Sequence, residues 1–211
     1  MLLSSARGPT AVPEFLRAEL DSSRYSLTGF EADFPALSRC MDVLGYRGES
    51  GFGSEVIKHE SWWKHSTQEL VGWVMFKVGA EGPPATAHGG AVATALDQTL
   101  GLQAWRSMGY SRAGIPTASL SVRYKRPAPL EKQLLVRAKT TRREGRKAFL
   151  TGSISDPDSG KLVASAEGIF HALGEPGVDI IPWEVRRAVK QALQLDGMRE
   201  SCENLMGRDW P

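Results

Sequence analysis

The sequence predicts an α+β fold in which one curved antiparallel sheet wraps around a single long central helix, with helical N- and C-terminal extensions. Three observations predict it. Gly89 to Trp105 is rich in Ala and Leu and lacks Pro, which gives one helix of about 25 Å. Four stretches after it and at least one before it carry strand periodicity. No further helix pattern falls among those strands, which argues against a doubly wound parallel sheet. Size agrees: 211 residues, 41% hydrophobic and 24% charged, suit one domain with a proper core plus extensions.

Residues 1–50 read as an N-terminal extension that is partly helical. Phe15, Leu16 and Leu20 fall at helical spacing, and Asp33 to Met41 reads as a short capped helix. Residues 51–174 form the expected domain. Gly51 to His59 is a candidate strand. Gln68 to Val78 is apolar on both parities, as in a strand buried on both sides. After the helix, Thr117 to Arg126 alternates, with Leu120, Val122 and Tyr124 on one face and Ser119, Ser121, Arg123 and Lys125 on the other. Lys132 to Arg142 alternates with Leu134, Val136 and Ala138 together. Arg146 to Ser155 and Leu162 to Leu173 complete the run. Turn chemistry separates them at Pro127 to Pro129, Glu144-Gly145 and Asp156 to Gly160. Residues 175–211 read as a helical tail: Pro182 to Leu195 is amphipathic, Gly197 follows its end, and Val185, Val189 and Leu193 make its stripe.

Composition removes several classes. Ordinary Gly and Pro content, 22 and 12 residues, excludes collagen and low-complexity disorder. Cys40 and Cys202 are the only cysteines, so a disulfide scaffold or cysteine-rich zinc site is excluded. His59, His65, His88 and His171 lack metal-ligand spacing, so no metal is expected. No apolar run approaches about 18 residues, so no membrane span is expected. The first residues are too weakly apolar for a secretory signal. The expected location is the cytoplasm, with organelle import through the N-terminal extension left open. There is no GxSxG, Walker loop or dinucleotide GxGxxG. Arg123 to Lys147 holds ten Lys/Arg against Glu131 and Glu144. Such a run suits a phosphorylated ligand; solvated strand faces account for most of it. Nucleic acid is not expected, because the remaining chain is net acidic and no binding motif accompanies the charge.

The stretch His88-Gly89-Gly90, followed by a helix that carries Asp97, is the most informative. Amides at a helix start lack intrahelical partners and favour negative charge. Two glycines there let a ligand oxygen approach, which describes an oxyanion hole. A tight turn or close packing is the plainer reading of the pair. Asp97 shares a stripe with Ala93, Leu100 and Ala104, where an unpartnered carboxylate is costly; a misjudged, exposed face is the alternative. His88 and Asp97 are about 13.5 Å apart along a helix and on opposite sides, so one subunit cannot bring them together. Two antiparallel helices across a two-fold axis can. Thr117 opens the next strand and can bond Asp97 or a water; an ordinary strand threonine is the simpler account.

The run from Gly82 through His88, Gly89, Gly90 and Asp97, together with Thr117 to Pro127 and Glu144 to Lys147, resembles the hotdog-fold acyl-CoA thioesterases of the phenylacetate-degradation and animal acyl-CoA thioesterase type. The resemblance covers about residues 52–173. It implies a hotdog fold, homodimers often paired into tetramers, and hydrolysis of an acyl-CoA, with coenzyme A as part of the substrate and no other cofactor. It implies that Gly89 polarises the thioester carbonyl, with Gly90 beside it. Asp97 of the partner chain is then the nucleophile or the base for water, His88 positions the thioester, and Thr117 orients the water or Asp97. Tyr124, Lys125, Arg126, Arg146 and Lys147 are implied to lie toward the nucleotide and phosphates of CoA. One departure stands out: some relatives carry Asn six residues before the His, where this chain has Gly82.

Three alternatives remain at this level. One is a catalytically weak hotdog that serves as an acyl-CoA-binding, regulatory or protein-interaction module. Another is a thioesterase that releases an acyl or polyketide chain from a carrier protein. A hydratase on the same fold fits less well, since it wants an Asp/His pair within one reach.

Overall fold

The computed structural model describes residues 12–17, 25–28, 56–108 and 115–173. The expected helices at 33–41 and 182–195 lie outside the described residues, as do 51–55 of the first candidate strand. The elements are a one-turn helix α1 (Glu14–Arg17), then β1 (Tyr25–Thr28), β2 (Ile57–Lys64) and β3 (Glu69–Phe76), the central helix α2 (Gly89–Met108), then β4 (Thr117–Tyr124), β5 (Gln133–Glu144), β6 (Lys147–Ser155) and β7 (Leu162–His171). One sheet contains all seven strands in the order β1-β2-β3-β5-β6-β7-β4, and every named pairing is antiparallel. This is the hotdog fold.

The helix and the last four strands stand close to where periodicity puts them. Leu134, Val136 and Ala138 are buried together. The helix runs three residues past Trp105, and the Arg143 guanidinium donates to the Ser107 carbonyl at 2.8 Å in its last turn, where a cation suits the free carbonyls. Two readings need correction. Strand β2 spans Ile57–Lys64, so the candidate ending at His59 stops short. Tyr25–Thr28, inside the expected partly helical N-terminal extension, is a strand on β2, so the extension contributes to the sheet itself.

Side chains of alternate parity separate two cores. The inner face of the sheet holds α2: Leu70, Val74, Phe76, Leu134, Val136, Leu150, Ile154 and Phe170 surround Leu96, Leu100 and Ala104. The outer face carries a smaller cluster, in which Leu16 of α1 lies on Trp62, Val71 and Trp73. Strands β2 and β3 are therefore buried on both sides, and Trp62 and Trp63 pack into opposite clusters.

The floor under the helix is made of small residues. Ala148 and Gly152 on β6 and Ala164, Ala166 and Gly168 on β7 face inward. A Cβ on Gly152 would stand 3.1 Å from Leu100 Cδ2, and one on Gly168 would stand 3.1 Å from Leu100 Cδ1. Leu100 thus occupies the space that two absent side chains leave. Gln103, fully buried one turn on, donates to the Gln68 carbonyl at 2.9 Å and to Thr140 Oγ1 at 3.2 Å, which sets the helix along its axis.

Replacing Leu100 by Ala is expected to cost about 2–5 kcal/mol, because the glycine floor cannot rise to fill the hole; urea unfolding measures it, and a cost under about 1 kcal/mol would show that the helix settles. A second expectation concerns His59, whose imidazole burial holds below the ordinary histidine value. Below about pH 6.5 the unfolded chain takes up the extra proton first, so stability falls as pH drops from there. Glu60, held above the ordinary glutamate value by burial, opposes that slope at lower pH. The urea midpoint should decline from pH 7 to 5.5 and decline less in His59→Gln; equal slopes would remove His59 as the cause.

Candidate functional site

His88 is the N-cap of α2. Its carbonyl accepts the Ala91 and Val92 N–H groups at 2.9 and 3.2 Å, and its imidazole Nδ1 accepts the Gly90 N–H at 2.9 Å. The ring does what a capping Ser or Asp usually does. A Cβ on Gly90 would lie 3.0 Å from Nδ1, so glycine there makes room for the ring to fold back. The pair of donors expected at His88-Gly89-Gly90 is thereby divided. Gly90 is committed to the cap, and among the described residues no acceptor meets the Gly89 N–H.

The loop before the helix fixes this cap. The His88 N–H donates to the Ala80 carbonyl at 2.7 Å, the Ala87 N–H to the Ala128 carbonyl at 2.9 Å, and the Ala85 N–H to Glu81 Oε1 at 2.7 Å. Gly82 lies flat against His88: a Cβ there would stand 2.9 Å from His88 Cα. A side chain such as Asn would press on the His88 backbone at this position.

Asp97 sits at the margin of the buried stripe, half-buried, while Leu100 and Ala104 are fully enclosed. Thr117 Oγ1 donates to Asp97 Oδ1 at 2.8 Å. The contact depends on an irregularity in β4. Thr117 pairs with Phe170 while Ser119 pairs with Ile169. The bulge between them turns Thr117 to the inner face, which a strict alternation would deny it. Asp97 and Thr117 come together; His88 and Gly89 stay about eight or nine helical residues away, near the other end of β4.

Tyr124 closes that other end. Its hydroxyl donates to the Gly89 carbonyl at 2.9 Å, and its ring borders Gly89. Lys125 beside it is exposed. Arg126 is engaged: its guanidinium donates to the Leu162 carbonyl at 2.7 Å. Arg146 and Lys147 lie elsewhere. Lys147 pairs with His171 and Tyr124 with Ala164, a separation of seven residues along β7, or about 23 Å. One chain thus does not gather its expected CoA-binding residues. It holds His88, Gly89, Gly90, Tyr124, Lys125 and Arg126 at one end, and Asp97, Thr117, Arg146 and Lys147 toward the other.

Much of the basic run is used inside the fold. Lys132 bridges Asp156 and Asp158 at 2.9 and 2.8 Å, a contact that holds the Asp156 carboxyl below the usual range. Arg142 lies 4.0 Å over the Phe149 ring, and Arg143 caps the helix. Among the described residues no cluster of three or more His, Cys, Asp or Glu could hold a metal, and no helix is long and apolar enough to cross a membrane. Sequence reasoning missed the capping role of His88 and the Tyr124 hydroxyl; the His-x-Gly spacing is the one signal that could have indicated the cap.

The tight approach at Gly82 predicts that Gly82→Asn loses about 1–3 kcal/mol of stability as the loop is forced off His88. Thermal or urea unfolding reads this, and an unchanged midpoint would show that the loop yields freely.

Comparison with known proteins finds similarity to thioesterases. Residues 85–163 match the thioesterase superfamily model. Acyl-coenzyme A thioesterase THEM4 of Xenopus laevis is 39% identical over 90 residues, covering 43% of this chain and 39% of that protein. Human acyl-coenzyme A thioesterase THEM5 is 28% identical over 150 residues, covering 70% of this chain and 55% of that protein. The chain spans about two-fifths of the length of the THEM4 relatives it matches. The crystal structure of zebrafish thioesterase superfamily member 2 superposes with a TM-score of 0.52 at 18% identity, over 69% of this chain and 99% of that one, which shows the shared fold. The matched residues 85–163 take in the capping loop, the central helix and strands β4 to β6.

Proposed function

We propose that this chain hydrolyses an acyl thioester, in the first instance an acyl-CoA, at a site that two copies complete together. The observation that carries the reading is the division of the site. One end of α2 offers a free Gly89 N–H and an exposed His88. The middle of α2 offers a carboxylate held by Thr117. Each half lacks what the other supplies, and no motion of one helix joins them. A two-fold axis that sets two such helices antiparallel does.

In that arrangement the Gly89 N–H donates to the thioester carbonyl and stabilises the oxyanion as it forms. His88 donates from its exposed nitrogen beside it. Asp97 of the second copy either attacks the carbonyl carbon or takes a proton from the attacking water, and Thr117 sets its orientation. The C–S bond breaks, the thiolate is protonated, and the acid leaves with the oxygen of water. Lys125 of one copy and Arg146 and Lys147 of the other are cations placed to meet phosphates. The names of the relatives support acyl-CoA as the thioester. A reducing compartment such as the cytoplasm fits the sparse cysteines.

Asp97→Asn is expected to lower thiol release from acyl-CoAs at least about a hundredfold with the fold and assembly unchanged; near-normal turnover would remove Asp97 from the chemistry. Mixing strongly impaired Asp97→Asn and His88→Ala chains should restore about a quarter of wild-type activity, since half of all dimers are then mixed and each of these carries one intact site of two. No recovery would place the whole site in one chain. A folded dimer that binds acyl-CoA and releases no thiol would favour the binding-module alternative.

A further inference from the structure

We infer that Tyr124 is a positioning residue that sets the proton on His88 through the peptide between Gly89 and Gly90. The three groups lie in series. The Tyr124 hydroxyl donates to the Gly89 carbonyl at 2.9 Å, and the N–H of the same peptide unit, that of Gly90, donates to His88 Nδ1 at 2.9 Å. A carbonyl that accepts a hydrogen bond polarises its own amide, and its N–H becomes a stronger donor.

The consequence for His88 follows from its inventory of lone pairs. A backbone N–H can only donate, so Nδ1 is an acceptor and carries no proton. In the neutral ring the proton is then on Nε2. His88 is exposed, with its Nδ1 turned back to the helix start, so Nε2–H is the donor it presents outward. The neutral ring in the other tautomer would set two N–H groups against each other and lose the cap.

The backbone that carries Tyr124 is held at the strand end, while its ring is half exposed. Tyr124 pairs with Ala164, and the next two amides, of Lys125 and Arg126, donate to the Val163 carbonyl at 2.8 and 3.0 Å. The ring lies where a side chain on Gly89 would project, with Cε1, Cζ and Oη each 3.6 Å from that point. The hydroxyl therefore reaches the Gly89 carbonyl from a fixed base. The tyrosine in this reading acts on the substrate only through His88, which differs from the phosphate-facing role that the family resemblance implies for it.

The inference rests on the hydrolase reading for its kinetic arm alone. Tyr124→Phe keeps the ring and removes the hydroxyl. With 15N-histidine labelling, the wild-type chain should show His88 with a pyridine-like Nδ1 and a pyrrole-like Nε2, and Tyr124→Phe should show a shift toward a mixture of tautomers. In steady-state hydrolysis of an acyl-CoA the variant should lose about 3- to 10-fold in kcat with KM within about twofold. In a His88→Ala background the same substitution should have no further effect on kcat. An unchanged tautomer signature in Tyr124→Phe overturns the inference, whatever happens to the rate. A tautomer shift in a chain that hydrolyses no acyl-CoA supports the relay and overturns the hydrolase reading instead.

Discussion

Leu100 lies against two glycines on adjacent strands, Gly152 of β6 and Gly168 of β7, and the position of the central helix follows from that contact. A larger side chain on either strand would lift the helix from the sheet. The helix would then lose two attachments that depend on its height: the Asp97 carboxylate on Thr117 near one end of β4, and the Gly89 carbonyl on Tyr124 at the other. Close packing in the interior therefore determines polar geometry at the surface. Interiors of this density pass small volume changes on to their neighbours instead of absorbing them.

The sequence showed the body of the fold clearly where a strand has one wet and one dry face. Leu134, Val136 and Ala138 stand out because the outer residues Arg137 and Lys139 between and beyond them are polar and exposed, while outer Leu135 packs on the smaller cluster. The pattern fails where both faces are covered. Strand β2 carries Trp62 outward under Leu16 and Trp63 inward toward the helix, so no alternation marks it, and its far end went unread. Strand β1 has four residues, too few for periodicity to register.

The candidate site was legible as a set of residues and much less so as an arrangement. Thr117 reaches Asp97 because a bulge turns it inward, and nothing in the spacing of Thr117 and Ser119 reveals a bulge. The basic run looked like one ligand-facing surface. In the fold, Arg126, Lys132, Arg142 and Arg143 are drawn into carbonyls, carboxylates and a ring, Arg123 lies 3.8 Å from Glu167, and Lys125 stands at the opposite end of β7 from Arg146 and Lys147. The incompatibility of His88 and Asp97 within one helix was the exception. It follows from 1.5 Å per residue alone, and the structure leaves the two groups as far apart as that arithmetic requires.

The strand order has a kinetic consequence. Strands β5, β6 and β7 are joined by short turns and pair with their sequence neighbours, so they form a meander that needs no other part of the chain. The junction between β3 and β5 is different: it joins Gly72 to Val136, with the whole central helix and β4 lying between them in the sequence. Closing a loop of that size costs entropy before any contact repays it. The helix must already lie on its floor when the loop closes, since the completed sheet curves around it. The β3–β5 junction is therefore the entropically costly closure of this fold, and the β5–β7 meander is its local part.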